Sequence, residues 1–322
     1  MIYGYLDGGK FLSVLSLVRM WRSLLAWHLL RRMTQRWWTA LCLCVASPAA
    51  WAQADDRVLT FRVQPHDLAR YQNYMQGRDP LDIGEIFRVG LTRHTAEMWL
   101  FQVASVLGGC RCNIRYQAYQ TDTTHSRAVA ELVAGRTVSD PVAGFKEDSR
   151  YADQVWFSDP ILSGDDFLVG IYTHQSRADV LALQDAERLR ELIYVVGRGW
   201  EMDRKVLSSK GLRFVDADNW SSALRLIEAR RADAILQPFS SQPRRALAAD
   251  GYEANFVPVP GFMVRFGYGR HFTVSKKHPE GEAFLRHLNA GLRMLRDSGF
   301  VQRLWLEAGV VHADARQFRE VR

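Results

Sequence analysis

Apolar and polar positions along this chain alternate between the two-residue period of strands and the 3.6-residue period of helices. Ile114, Tyr116 and Ala118 alternate with polar neighbours as in a strand, and the helical spacing that follows ends before Gly135, a typical helix-terminating residue. Strands that alternate with helices predict βαβ units built around parallel sheets. The elements predicted for the first half are strands at 87–92, 113–119 and 138–143 and helices at 95–107 and 124–134.

The second half repeats the same alternation. Asp218 precedes a helix whose apolar residues keep helical spacing, and an aspartate is a favoured cap at a helix start. Because each half has a helix of equal length that leads into a strand, we expect two similarly built α/β lobes. The elements predicted here are strands at 192–196, 212–215 and 232–236 and helices at 202–208, after Asp218, at 279–296 and at 300–308.

Two strand-like runs flank the second half, at 166–173 and 268–275. Gly267 and Gly269 give the backbone conformational freedom beside the second run. We therefore expect the two runs to cross between the lobes as hinges. The predicted division is a leader at 1–52, an N-terminal extension at 53–85, a first lobe at 86–166 plus 273–312, a second lobe at 174–266, hinges at 167–173 and 267–272, and a tail at 313–322.

The stretch from Met33 to Ala52 has the pattern of a secretory signal peptide. A basic start at Arg36 is followed by an apolar run over 37–45 and then by small residues. We expect cleavage between Ala52 and Gln53 and a soluble periplasmic product, because the apolar run is too short to span a bilayer. The simplest account of the upstream residues is a translation start at Met33. A genuinely long n-region and an uncleaved amphipathic anchor are the alternatives.

The leader also explains most of the basic charge of the chain. The whole sequence carries a net charge of +7, but residues 1–52 hold six of its 42 basic and one of its 35 acidic residues. The remaining 36 basic and 34 acidic residues give a net charge of +2 on residues 53–322. This charge offers no electrostatic footprint for nucleic acid, so we expect no nucleic-acid partner.

Two cysteines, Cys110 and Cys112, follow the leader. In an oxidising compartment an even pair invites a disulfide, although a Cys-x-Cys bridge closes a small and strained ring. One structural bridge or two thiols in a loop is favoured over a redox role. The sequence has no metal-ligand spacing, P-loop, nucleophile elbow or zinc-protease motif, so neither a metal nor a cofactor is expected.

Five stretches occur in an order that resembles a known family. They are the strand at 87–92, the Glu-Leu-Val-Ala-Gly-Arg element at 131–136, Arg150 with Phe157-Ser-Asp-Pro, the Asp-Ala strand at 232–236 and the returning strand at 272–279. Over residues 86–312 the chain resembles type II, two-lobed periplasmic solute-binding proteins, closest to the family 3 (amino-acid-type) group. The resemblance implies two lobes, each a mainly parallel sheet flanked by helices, joined by two hinge strands, with a ligand in the cleft between them.

The resemblance also implies a role for Arg150. In amino-acid binders of this family an arginine at this position holds the ligand carboxylate with its planar guanidinium. Here the spacing to Phe157 is one residue longer than usual, and Glu147 stands where a Thr or Ser is expected. Pro238 stands where the family has its ammonium-binding Asp. We therefore expect a small anionic or polar ligand that is not an ordinary L-amino acid.

Other positions are candidates for ligand contacts. Arg93 and His94 follow the first predicted strand and either face the cleft or lie in a solvated loop. Trp200 follows Gly199 at a predicted helix start, where an anionic group or a stacked ligand is favoured, although packing explains it equally well. Asp165 precedes the first hinge, where it either recognises a cation or caps a turn. The candidate ligand-binding residues are Arg93, His94, Phe145, Arg150, Asp165, Trp200 and Gln237.

The predicted function is that of a monomeric receptor that presents its ligand to a membrane transporter or a sensor. The alternative is a periplasmic enzyme on the same fold, similar to the cyclohexadienyl dehydratases, in which Glu147 beside Arg150 supplies the acid. A plain ion pair between Glu147 and Arg150 explains the same residues. A chaperone or redox accessory that uses Cys110 and Cys112 is a third interpretation.

Overall fold

The strands form two groups in the part of the chain that the computed structural model describes, namely residues 57–83, 90–120, 125–148, 150–248 and 251–322. These residues belong to a single unit, Ala54–Arg322. The predicted signal peptide, its cleavage site at Ala52 and Gln53, and positions 87–89 of the predicted opening strand lie outside the described residues.

Five strands of the described residues belong to the first lobe. β1 (Arg57–Val63) and β2 (Cys112–Ala118) pair in parallel, and β1 lies beside β3 (Ser139–Gly144). β11 (His271–Ser275) runs antiparallel to both β3 and β4 (Val155–Phe157), so a strand from late in the chain completes this lobe. Its helices are α1 (Pro65–Met75), α2 (Arg93–Leu107), α3 (His125–Val133), α8 (Gly281–Asp297) and α9 (Phe300–Glu307).

The predicted N-terminal extension is in fact part of the first lobe. Phe61 of β1 is buried, and its ring lies 5.0 Å from that of Phe101 on α2. The prediction of 53–85 as a separate extension is therefore wrong for the described residues 57–83. Phe61 and Val63 are buried on one face of β1, whereas exposed Arg62 on the other face and exposed Arg57 at the start of the strand obscure the strand pattern. β1 takes the position of the opening strand that was predicted at 87–92.

The second lobe is built around β5 (Leu168–His174). This strand pairs antiparallel with β8 (Ile235–Pro238), β9 (Phe256–Pro258) and β10 (Phe262–Arg265). β6 (Ile193–Gly197) and β7 (Arg213–Ala217) pair in parallel, and a bridge between Tyr194 and Ala234 links β6 to the segment before β8. The helices are α4 (Ala178–Leu181), α5 (Ala186–Arg190), α6 (Glu201–Ser209) and α7 (Trp220–Glu228).

Two antiparallel segments, 158–167 and 266–270, cross between the lobes. The backbone N–H of Ile161 donates to the carbonyl of Arg270 at 2.9 Å, and that of Phe266 donates to the carbonyl of Phe167 at 3.1 Å. The first crossing therefore precedes the predicted hinge at 167–173. That run belongs to β5, whose residues are buried on both faces because it is an inner strand of the second lobe.

A third connection follows α9. The C-terminal segment returns to the second lobe, where β12 (Arg319–Glu320) pairs in parallel with β10. Val321 beside it is fully buried, and Ala315 packs in a cluster with Leu168 and Phe239. The predicted tail at 313–322 thus adds a strand to the second lobe.

A disulfide joins Cys110, which follows α2, to Cys112 at the start of β2, with their Cα atoms 5.3 Å apart. No helix in the described part of the chain has the length and apolar content needed to cross a membrane.

Candidate ligand-binding cleft

Residues of both lobes face each other where β1 and β3 of the first lobe end and α6 of the second begins. We call this region the cleft. An ion pair crosses it between Arg70 on α1 and Glu253, which lies in a short 3₁₀ helix of the second lobe. The lobes also approach each other at Arg150, whose Nη1 lies 3.9 Å from the place that a Cβ atom on Gly199 would occupy.

Arg150 is oriented by an acidic neighbour. Its Nε and Nη2 donate to Oδ1 and Oδ2 of Asp148 at 2.9 and 2.6 Å. Asp148 is buried, whereas 32% of the Arg150 side chain is exposed. This bidentate pair raises the pKa of Arg150 and fixes the plane of its guanidinium. The remaining nitrogen, Nη1, points toward the start of α6.

The N-terminus of α6 is close to this guanidinium. Gly199 has a φ of +92°, in the left-handed region that favours glycine, and a Cβ atom there would lie 3.0 Å from Oγ of Ser126. A glycine at 199 therefore allows the backbone of the second lobe to approach the first. Backbone N–H groups at a helix N-terminus favour a negative charge, as a guanidinium does.

Trp200 occupies the N-cap position of α6, and its ring packs against neighbouring residues. A Cβ atom on Gly197 would lie 2.5 Å from the Trp200 indole, so residue 197 must be glycine for the ring to lie there. The ring is half-buried and lies 6.1 Å from that of Trp220. Nε1 of Trp220 in turn donates to Glu253 at 2.8 Å.

On the first lobe, Arg93 and His94 open α2 and are bonded to acids. Nη1 of Arg93 lies 3.1 Å from Oε1 of Glu97, and Nδ1 of His94 lies 2.8 Å from Oδ1 of Asp67. Burial of Asp67 opposes its ionisation, but His94, with His66 and Arg70, lowers the pKa of Asp67 to about 2. Asp67 is thus a carboxylate in the folded protein, and it positions the imidazole of His94.

Glu97 is the centre of a buried network behind these residues. It accepts from Nε of Arg270 at 2.8 Å and from the backbone N–H of Ala143 at 3.1 Å. Burial disfavours its ionised form, but Arg270 and Arg93 lower the pKa of Glu97. The Arg270 guanidinium lies 4.9 Å from the ring centre of Phe145. Phe145 therefore packs in the hinge region, where its ring also stacks on Phe266 at 5.3 Å.

Asp203, in the first turn of α6, is an acidic residue on the second-lobe side of the cleft. Burial raises its pKa to about 6, although Arg93 and Arg270 across the cleft act in the opposite direction. A carboxyl group with this pKa changes its charge in the range where general acids and bases operate. Among the described residues on the second-lobe side of the cleft, Asp203 is the one carboxyl group whose pKa is raised into this range.

Three predicted residues lie elsewhere or on the surface. Asp165 is exposed beside the hinge, and its carbonyl accepts from Nη1 of Arg265 at 2.9 Å. Gln237 is half-buried in β8 and pairs with Gly170 of β5. Glu147, the candidate acid of the enzyme alternative, is exposed, and Asp148 rather than Glu147 binds Arg150.

A second concave region lies on the opposite face of β1 from Phe61. It is a polar cavity of about 560 Å³, and none of the predicted ligand-binding residues lines it. Burial raises the pKa of Asp140 at its wall to about 7. The lining residues are Thr60, Arg62, Gln117, Tyr119, Ala128, Glu131, Arg136, Thr137, Ser139 and Asp140.

Several charged residues of the cleft were not found from the sequence. Asp67 and Glu253 lie in segments without a recognisable motif, and Asp203 reads as an ordinary acidic residue in the first turn of a helix. The Asp148-Ser-Arg150 spacing was the one usable local signal, because an acid two residues before an arginine in a turn can form a bidentate pair.

No protein-family model matches the chain, and no curated protein matches it either. Solved structures do match. An amino acid ABC transporter substrate-binding protein from Streptococcus pneumoniae Canada MDR_19A, bound to L-arginine, is 16% identical and has a TM-score of 0.51. The match covers 78% of this chain and 93% of that chain.

Two further solved structures match with lower TM-scores. A histidine kinase sensor domain with similarity to periplasmic binding proteins is 15% identical over 78% of this chain and 95% of that chain, with a TM-score of 0.49. The ancestral amino acid-binding protein AncCDT-1, a precursor of cyclohexadienyl dehydratase, is 18% identical over 66% and 84%, with a TM-score of 0.46. The prediction of a two-lobed, type II periplasmic binding protein fold is confirmed, and at these identities the likeness concerns the fold.

Proposed function

We propose that the chain is a periplasmic solute-binding protein that captures a small anionic or polar ligand between its two lobes. The observation that carries this proposal is the placement of Arg150, whose Nη1 points toward Gly199 at the N-terminus of α6. An anion between them accepts from a first-lobe guanidinium and from second-lobe backbone N–H groups. Such a ligand stabilises the closed arrangement of the lobes because it contacts both.

The ligand of this proposal is not a standard α-amino acid. Pro238 ends β8 and has no carboxylate for an ammonium group, and exposed Glu147 replaces the expected hydroxyl. The streptococcal structure is bound to L-arginine. At Glu147 and Pro238, this chain lacks two of the contacts that amino-acid binders of the resembled family use for an α-amino acid. Arg93, His94 and Trp200 are the proposed additional contacts, and Phe145, Asp165 and Gln237 are secondary ones.

The proposed partners are a membrane transporter or a sensor, and the protein acts as an exported monomer. The two uses differ in what reads the closed state. A transporter binds the closed lobes and takes the ligand, whereas a sensor transmits the closure itself.

A second function is favoured by Asp203. Its raised pKa of about 6 and its position opposite Arg93 suit a general acid in a dehydratase-like enzyme. In that case Arg150 holds the substrate and Asp203, rather than exposed Glu147, moves the proton.

A ligand screen distinguishes these functions. Thermal-shift measurements over a metabolite library, run on wild type and on Arg150→Lys, identify compounds whose stabilisation depends on the guanidinium. Chromatography of each hit after incubation then asks for chemical change. A receptor returns the compound unaltered, whereas an enzyme yields a product whose formation stops in Asp203→Asn. The absence of any Arg150-dependent hit among the anionic and polar compounds of the library contradicts both functions.

A further inference from the structure

Three potential metal-binding side chains meet on the first lobe. His66 and Asp67 lie in the first turn of α1, and His94 lies in the first turn of α2. One ligand atom from each lies within 4.8 Å of the other two. Nδ1 of His94 is 2.8 Å and Nε2 of His66 is 3.4 Å from Oδ1 of Asp67. Helix packing brings these residues together, so their spacing along the chain does not reveal them.

The chemistry of the three groups suits a transition metal. Two imidazole nitrogens and one carboxylate oxygen form a typical three-residue ligand set for Zn²⁺, which leaves one coordination position for water or another ligand. Only 2% of the Asp67 side chain is exposed, so its carboxylate is held in place. The imidazoles of His66 and His94 are 41% and 29% exposed, which gives an ion a path from solvent.

We propose that His66, Asp67 and His94 form a binding site for a divalent transition-metal ion of the Zn²⁺ class. The site does not include Arg150, and it shares only His94 with the additional ligand contacts proposed above. The ion takes the place of the proton on Nδ1 of His94 that faces Asp67.

Arg93 is the residue that opposes the ion. Its Nη2 lies 2.5 Å from Nε2 of His94, and a guanidinium can only donate. In the metal-free protein, Nε2 of His94 is therefore the acceptor and Nδ1 carries the proton toward Asp67. A metal ion at Nδ1 places the proton on Nε2, where it faces Arg93. The guanidinium must then turn away, and its existing bond to Glu97 gives it a partner when it does.

Because Arg93 opposes the ion, replacing Arg93 should strengthen metal binding rather than weaken it. Arg93→Gln removes a positive charge and supplies an amide oxygen that can accept from Nε2 of His94. Outer-shell partners of metal-bound histidines change affinity by about 10–100-fold. Arg93→Gln should therefore tighten metal binding about tenfold, whereas a variant that only disturbed the fold would weaken it.

The test is a Zn²⁺ titration against a colorimetric chelator, with purified full-length protein that carries no polyhistidine tag. Co²⁺ absorbance provides an independent reading of the ligand geometry. The variants are His66→Ala, His94→Ala and Arg93→Gln, with His174→Ala as the matched control, because His174 lies on the second lobe beside Ser176. Thermal unfolding without metal reports on the fold of each variant.

We expect one Zn²⁺ per chain, at least about tenfold weaker binding in His66→Ala and His94→Ala, and tighter binding in Arg93→Gln. His174→Ala should bind as wild type does. The proposal is overturned if wild type binds no ion at micromolar concentrations, or if folded His94→Ala binds as wild type does. Equal weakening in His174→Ala also overturns it. None of these outcomes depends on the organic ligand, so they leave the proposed function to its own test.

Discussion

Arg70 on the first lobe and Glu253 on the second form an ion pair across the cleft. Trp220, on the same lobe, positions Glu253 for this contact, because Nε1 of Trp220 donates to Oε1 of Glu253 at 2.8 Å while Oε2 faces Arg70. The side chains of Arg70 and Glu253 are 32% and 18% exposed, so the pair is only partly screened by solvent. The protein therefore has a contact of its own that favours closure, separate from any ligand.

Removing this ion pair should shift the lobes toward the open state. Partly exposed pairs contribute up to about 1 kcal/mol, so Arg70→Gln should lower the ratio of closed to open molecules by about fivefold or less. Small-angle X-ray scattering without ligand should then give a larger radius of gyration. Arg286→Gln is the control, since its exposed pair with Glu282 lies within α8. An unchanged scattering profile in Arg70→Gln would show that the pair has no influence on closure.

Arg150 should be the main determinant of ligand affinity. A charge-assisted contact in a closed cleft is lost in Arg150→Ala, which should weaken binding about tenfold to a hundredfold. Arg150→Lys should restore only part of the affinity, because lysine keeps the charge and loses the planar fork. Isothermal titration calorimetry with a screened ligand measures both effects.

The loss of Arg150 also removes the guanidinium from beside buried Asp148, so each variant needs its own unfolding curve. Arg136→Ala is a suitable control, because Arg136 makes a similar bidentate pair with Glu131 on the surface. Unchanged affinity in a folded Arg150→Ala protein would rule out its proposed role. Tight binding of a free L-amino acid to wild type would contradict the proposed ligand class.

Much of the fold could be predicted from local patterns, and the reason is visible in particular elements. The strand predicted at 113–119 corresponds to β2, which buries alternate side chains, and the helix predicted at 95–107 corresponds to α2, whose long apolar run is buried over most of its length. The pattern does not predict β1 because exposed Arg57 and Arg62 interrupt its apolar residues, and it predicts a hinge at β5 because that run is apolar on both faces. A pattern reports burial, and burial alone does not distinguish an inner strand from a crossing segment.

The cleft was harder to predict because its charges come from distant segments. Arg150 was found through a motif, but Asp148, its actual partner, was overlooked in favour of Glu147. Asp67 meets His94 only because α1 and α2 both begin at the same edge of the first lobe. Such pairs depend on topology, and no single window of sequence contains both members.

Asp140 should make stability depend on pH. Burial raises its pKa to about 7, with Glu97 adding to the effect, while the backbone N–H of Val142 and Arg270 oppose it. Below about pH 4 the carboxyl is protonated in both the folded and unfolded chains. Between about pH 4 and 7 the folded protein holds a proton that the unfolded chain has lost, so the free energy of unfolding falls as pH rises. Above about pH 7 this contribution is constant.

Asp140→Asn should remove this dependence, because an amide oxygen can still accept from Val142 and carries no charge. The variant should be more stable than wild type at pH 8 by on the order of 2–4 kcal/mol, with a smaller difference at pH 5. Urea unfolding at the two pH values gives the comparison, with exposed Asp297→Asn as the control. A difference between Asp140→Asn and wild type that is the same at both pH values would contradict the raised pKa.

The C-terminal segment should restrict how far the lobes open. It leaves α9 in the first lobe, passes Gly309 against the backbone of Ser240 and Ser241, and ends with β12 and buried Val321 in the second lobe. Val321→Ala should lower the free energy of unfolding by about 1–3 kcal/mol, since it removes buried methyl groups. Val215→Ala is the matched control, because Val215 is 37% exposed.

A chain that ends at residue 312 lacks β12 and its pairing with β10 while it keeps both crossing segments of the hinge. If the C-terminal segment limits opening, this chain should give a larger radius of gyration without ligand than wild type. It should also bind the ligand more weakly, because closure then starts from a wider range of open states. Val321→Ala should lie between the two proteins. A truncated chain that folds and matches wild type in both scattering and affinity would show that the segment adds stability without restricting the hinge.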